Sequence, residues 1–219
     1  MNAYFSGLTL RDYFPAIALV ASFLLGSLPM GIWVARAFHV RDIRTLGSGN
    51  IGATNVSRVV GFWPAGFLTF LLDVFKGAFF PLLLGPLGNA LLAPALELEP
   101  GFFSNGVIWA SGLMAVLGHC YSPWLRFNGG KGVATGFGVA LVLSPISAAF
   151  GLLAFGITFL ETKTGSLSSI AGLLFVLISH LVFHSLEPYL WFGALMVAVI
   201  IIRHESNLDA ILEGKERSF

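Results

Sequence analysis

The residues best suited to chemistry lie in two polar runs punctuated by glycine. The first is Asp42-Ile43-Arg44-Thr45-Leu46-Gly47-Ser48-Gly49-Asn50-Ile51-Gly52-Ala53-Thr54-Asn55-Val56-Ser57-Arg58. Gly47, Gly49 and Gly52 permit left-handed and close-approach backbone, and successive N–H groups in such a turn make a nest for an anion such as phosphate. Ser48, Asn50, Thr54 and Asn55 add neutral hydrogen-bonding groups, and Arg58 falls on a following helix within reach of the same anion. Taken alone, this run reads equally well as an interfacial loop whose glycines make turns. A second run weighs against that: Gly118-His119-Cys120-Tyr121-Ser122-Pro123, then Phe127-Asn128-Gly129-Gly130-Lys131-Gly132-Val133-Ala134-Thr135. It places Lys131 at a helix N-terminus, where a cation opposes the macrodipole and calls for a negatively charged partner. A Walker A loop is not formed, since G-x-x-x-x-G-K-[ST] needs Gly at Leu125 and Ser or Thr at Gly132.

Other candidates are sparser. Asp73 and Lys76 share one helix face, and a structural ion pair outweighs direct catalysis for them. Ser166-Leu167-Ser168-Ser169 suits either a helix cap or a binding role. His119 and His204, the latter in Arg203-His204-Glu205-Ser206-Asn207, are placed to orient a phosphate. His180 and His184 stand four apart, but Leu181 replaces the Glu of H-E-x-x-H, so they read as packed side chains. The H-x-x-x-x-D motif of His-based acyltransferases reads as absent, since neither His39 nor His119 has Asp at that interval. A single cysteine, Cys120, excludes an intrachain disulfide and a Cys-based zinc site. No metal and no cofactor is expected.

The elements that must position these groups are membrane helices. Of 219 residues, 56% are hydrophobic and 11% charged, against about 25% charged in soluble domains, and mean hydropathy is +0.85. A net charge of +1 gives no field to gather nucleic acid, and the composition excludes disorder. A span needs about 20 apolar residues, and uncharged stretches of that order separate Asp12 from Arg36, Lys76 from Glu97, Glu99 from Arg126, Lys131 from Glu161 and Lys163 from Glu187. A shorter one, Glu187 to Arg203, holds a short helix if Pro188 starts it. The first stretch is too long for a signal-peptide core and reads as a retained helix. Basic residues cluster at Arg36, Arg41, Arg44 and Arg58, at Arg126 and Lys131, and at Arg203, Lys215 and Arg217, whereas 85–103 holds none. With the N-terminus outside, all three clusters reach the cytoplasm only if 132–160 folds as two helices, broken at Ser144-Pro145. The prediction is an all-α integral membrane bundle of about seven transmembrane helices, with a cytoplasmic C-terminus and a single domain over 1–219. Lys163, Thr164, Ser166 and Ser168 then join the glycine loops on one side. A transporter of phosphorylated solutes is the competing class, but spans nearly free of charge offer it no path.

In order and spacing, the motifs resemble the bacterial acyl-phosphate:glycerol-3-phosphate acyltransferases, the PlsY family of membrane phospholipid synthesis. The resemblance runs from Gly26-Ser27-Leu28-Pro29 and Gly47-Ser48-Gly49-Asn50…Arg58 through Asp73…Lys76-Gly77, Gly118-His119, Gly129-Gly130-Lys131-Gly132 and Ser166-Leu167-Ser168-Ser169 to Arg203-His204…Asn207. Departures are Thr164-Gly165 and Trp124-Leu125-Arg126. The likeness implies an enzyme of the bacterial inner membrane with cytoplasmic site loops. It would transfer an acyl chain from acyl-phosphate to the sn-1 hydroxyl of glycerol 3-phosphate, giving lysophosphatidate and phosphate, with other phospholipid-synthesis enzymes as candidate partners. Ser48, Arg58 and Lys131 are then the catalytic candidates. Gly47, Gly49, Asn50, Thr54, Asn55, His119, Gly129, Gly130, Ser166, Ser168, Arg203, His204 and Asn207 are the substrate-binding ones. Missing a His base, the reaction would be substrate-assisted, the leaving phosphate taking the hydroxyl proton while the enzyme supplies position and charge.

Overall fold

The computed structural model describes residues 10–93, 104–184 and 189–216, and these contain helices and no strands. The expectations placed on Glu97, Glu99, Glu187, Pro188 and Arg217 lie outside the described residues. The first apolar stretch is two helices, α1 (Leu10–Gly26) and α2 (Met30–Ala37). The single first helix expected from sequence is thus divided at Ser27-Leu28-Pro29, because Pro29 brings no N–H and bars helix in its predecessor. The carbonyls so released are taken up by distant side chains: Ser122 Oγ donates to Ser27 O at 2.7 Å and Lys76 Nζ to Leu28 O at 3.0 Å. Trp124 Nε1 donates to Ser27 Oγ at 2.8 Å, which gives that unusual tryptophan a structural purpose.

The polar loop that follows carries a short helix, α3 (Ala53–Val59), before α4 (Phe67–Leu84). Next come α5 (Asn105–Cys120), α6 (Val133–Leu143), α7 (Pro145–Thr162), α8 (Gly165–His184), α9 (Leu190–Ile202) and α10 (Glu205–Leu212). The predicted break in 132–160 is present, with Ser144 alone between α6 and α7 and Pro145 in the first turn of α7, where a missing N–H costs nothing. Four described stretches are long and apolar enough to cross a membrane: Tyr13–Ala37, Phe62–Leu91, Pro145–Thr162 and Gly165–Phe183. Two shorter apolar helices, α6 and α9, accompany them.

Backbone-to-backbone contact fixes the frame. A Cβ on Gly26 of α1 would strike the Ala115 backbone of α5, and one on Gly118 of α5 would strike Phe23 O of α1. Small residues let helices approach in this way, as they do in membrane bundles. Ser22 Oγ adds a buried bond across the same seam, donating to Ser111 O at 2.6 Å. The Asp73–Lys76 pair forms as expected, at 2.9 Å with both side chains buried, and His119 Nδ1 approaches the same Asp73 oxygen at 3.6 Å.

Candidate active site

One cavity of about 1540 Å³ opens among the polar loops and continues between the helices. Its mouth is lined by Arg44, Ser48, Asn50, Arg58, Lys131, Arg203, His204 and Asn207; deeper in, Phe137, Phe155, Leu173, Val176 and Met196 line it. Residues far apart in sequence converge there. Lys131 Nζ donates to Asn207 Oδ1, joining the second glycine turn to α10.

The first loop is built around Asn55. This side chain is buried, its Oδ1 accepts from Ser48 N at 2.8 Å, and its Nδ2 donates to Leu46 O at 3.0 Å and Asn50 O at 2.9 Å. Gly47 and Gly49 have φ of +59° and +72°, the left-handed region that glycine enters without strain. Asp42 caps the preceding turn, accepting from Arg44 N at 3.0 Å and pairing with Arg44 Nη2 at 2.7 Å. The Arg44 guanidinium holds the Asp42 carboxyl down at about 2.

The second turn is held from its surroundings. Gly129 N donates to Cys120 O and Gly130 N to His119 O, both at 3.0 Å. Arg203 then clamps the carbonyl side, donating Nη2 to Gly129 O at 2.9 Å and Nε to Gly130 O at 3.2 Å, while its guanidinium lies 5.6 Å over the Tyr121 ring. Side chains on Gly129 or Gly130 would collide with His119 and the end of α5.

These bonds correct part of the sequence reading. The amides of Ser48, Gly49, Gly52, Gly129 and Gly130 already donate within the protein, so they do not form the anticipated anion nest. Of the predicted substrate-binding residues, Gly47, Gly130 and Ser168 stand outside the cavity wall; Ser168 Oγ donates to Thr164 O at 2.7 Å, a helix back-bond. Asn55 lines the cavity, but its polar atoms serve the loop. The remaining predicted residues, among them Thr54, Gly49, Gly129 and Ser166, line the cavity.

Sequence reasoning missed Glu216. Its Oε1 accepts from Ser166 Oγ at 2.5 Å and Asn207 Nδ2 at 2.8 Å, placing a carboxylate on two donors singled out for substrate. Burial pushes Lys131 down to about 8, the Glu216 charge opposes that fall, and the Arg58 and Arg203 charges add to it. Glu216 is one of four acidic residues after Arg203, and no local pattern sets it apart from Glu205, Asp209 and Glu213. The interval H-x-x-x-x-D also occurs once, at His204 and Asp209, contrary to the reading that it is absent. It forms no dyad, because five residues on a helix turn the second side chain well off the face of the first: Asp209 is exposed, while His204 is buried and directs Nδ1 to Ile200 O at 2.8 Å. A carbonyl only accepts, so Nδ1 carries the proton and Nε2 the lone pair. Burial first, then the Lys131 charge, lowers His204 to about 4, leaving it neutral at physiological pH. Among the described residues no cluster of His, Cys, Asp or Glu could hold a metal ion.

A helical frame of membrane-spanning length, with a cationic mouth leading into an apolar interior, defines the class of integral membrane proteins whose site has one charged and one apolar end. The chain belongs to the glycerol-3-phosphate acyltransferase family, whose model matches residues 16–214. Glycerol-3-phosphate acyltransferases from Staphylococcus carnosus (strain TM300) and Staphylococcus haemolyticus (strain JCSC1435) are 41% and 40% identical, each alignment covering 91% of this chain and 95% of the relative. The fold is similar to the crystal structure of PlsY (YgiH), an integral membrane glycerol 3-phosphate acyltransferase, in its glycerol 3-phosphate form: TM-score 0.81, 34% identity, 94% of this chain and 95% of that one. The lysophosphatidic acid form of that protein gives a TM-score of 0.79 at 33% identity, with the same coverage.

Proposed function

We propose that this chain transfers a fatty acyl group from acyl-phosphate to the sn-1 hydroxyl of glycerol 3-phosphate. The hydroxyl oxygen attacks the acyl carbonyl carbon, a carbon–oxygen ester bond forms, and the bond from that carbon to the phosphate oxygen breaks. The departing phosphate takes the hydroxyl proton, so lysophosphatidate and inorganic phosphate leave without a protein base or a cofactor. Arg58 and Lys131 hold the phosphate groups and Ser48 orients the reactants, with Ser166, His204 and Asn207 closing the site. Asn55, Arg203 and the two glycine turns keep those side chains in register.

The observation that carries this reading is the continuity of one cavity from the Lys131–Asn207 contact into an apolar interior. A phosphate head with a hydrocarbon tail has that same polarity along its length. Residues 1–219 act as one domain of about seven spans, N-terminus outside and C-terminus in the cytoplasm. The mouth faces the cytoplasm of a bacterial inner membrane, near other phospholipid-synthesis enzymes. Exposed Trp63 and Trp124 at the level of the mouth suit the membrane interface. Detergent-purified protein given glycerol 3-phosphate and palmitoyl phosphate should release lysophosphatidate and phosphate. Product formed from palmitoyl-CoA, with none from palmitoyl phosphate, would overturn the donor assignment.

A further inference from the structure

We infer that Trp109 and His180 form a stop at the deep end of the apolar channel and set the longest acyl chain the enzyme accepts; this rests on the reading that the acyl chain occupies that channel. The cavity follows α8 from Ser166 at the mouth to His180 and follows α9 down to Leu190, while Trp109 comes from the opposite end of α5 to His119. At the bottom the apolar lining gives way to the polar groups of Ser144 and His180 beside Trp109. The Trp109 and His180 rings meet edge to face at 5.3 Å, and His180 Nδ1 lies 3.0 Å from Ser144 Oγ. Ser144 is the residue between α6 and α7, and its Oγ donates to Ser147 Oγ at 2.7 Å, so the break pins the imidazole. Beyond lies a second cavity of about 340 Å³, and Trp109 and His180 line both spaces. The pair is therefore a partition of side chains with room behind it.

The depth sets a length. Ser166 to His180 along α8, at about 1.5 Å per residue, amounts to roughly 20 Å. An extended hydrocarbon with bonds of about 1.5 Å advances about 1.25 Å per carbon, so that depth takes roughly sixteen carbons. A longer chain must fold back or drive its end against the imidazole and indole. Either loses the packing and burial that stabilise each methylene.

The test is a chain-length series of lauroyl, myristoyl, palmitoyl, stearoyl and arachidoyl phosphates with the purified full chain. Wild type should peak near palmitoyl and fall beyond it. Trp109→Ala opens the partition and should raise kcat/KM for stearoyl and arachidoyl relative to palmitoyl by about ten-fold or more, and Trp109→Phe should move it less in the same direction. A Cβ on Gly193 would sit 3.5 Å from the Trp109 ring, an ordinary contact, so Gly193→Val adds bulk at the stop and should favour myristoyl and lauroyl. The opposed variants keep the result readable even if Trp109→Ala does not fold. Profiles that stay like wild type in folded Trp109→Phe and Gly193→Val would overturn the stop. Wild type inert with every acyl phosphate would instead overturn the donor reading.

Discussion

The loop 42–58 is knitted from within around the buried Asn55 side chain, whereas the turn 128–132 is held from outside, by Arg203 on its carbonyls and by the end of α5 on its amides. Both runs are glycine-rich and both use left-handed glycines, Gly47 and Gly49 in the first and Gly132 in the second, while Gly129 and Gly130 of the second also lie close against the end of α5. In both, amides at the glycine turns, those of Ser48, Gly49 and Gly52 in the first and of Gly129 and Gly130 in the second, donate within the protein. On the proposed function, attraction for a phosphate falls to the side chains these frames present, Arg58 from one and Lys131 from the other.

That division can be attacked at each frame. Lys131→Ala should lower kcat/KM by about 10²–10³ or more while the protein inserts and purifies normally; near-normal turnover would return the work to the backbone. Asp73→Asn strips the buried Lys76 ammonium of its counter-charge and loosens the support of His119 behind the second turn. It should cost about 3–5 kcal/mol, read as a fall in Tm in detergent. Asn55→Asp turns a carboxylate toward carbonyls that now receive N–H bonds, and should cost about 1–3 kcal/mol with faster proteolysis inside 42–58. Arg203→Lys keeps the charge but loses the fork across two carbonyls, so KM for glycerol 3-phosphate should rise several-fold with kcat less affected. Smallest is a pH effect. The Lys131 ammonium of the free enzyme titrates near 8, so kcat/KM should fall as pH rises through that value. Glu216→Gln removes the charge that holds Lys131 up, and should move this limb to lower pH.

Much of the frame was legible because charge is so costly in a bilayer that its spacing marks the helices, and because Pro145 breaks the longest stretch for local reasons. Pro29 has equally local force, but it lay within a stretch otherwise suited to one span, and the side chains that satisfy the break come from residues 76, 122 and 124. The placement of the basic clusters put the second turn and the tail on one side, and the resemblance marked Asn207; the Lys131–Asn207 contact brings the two together. Asn55 was read as facing substrate because an amide in a polar loop has no sequence mark of inward or outward orientation. Glu216 went unseen because its partners, Ser166 and Asn207, are set by tertiary closure.

The bend between α1 and α2 also dictates an order of assembly. The donors to Ser27 and Leu28 are Lys76, Ser122 and Trp124, all made after the bend itself. During synthesis the first span must enter the lipid with those carbonyls unanswered by their final partners, and its bend locks only once the chain has grown past residue 124. Truncations ending before and after that point should differ sharply in how well the nascent N-terminal segment resists extraction and digestion.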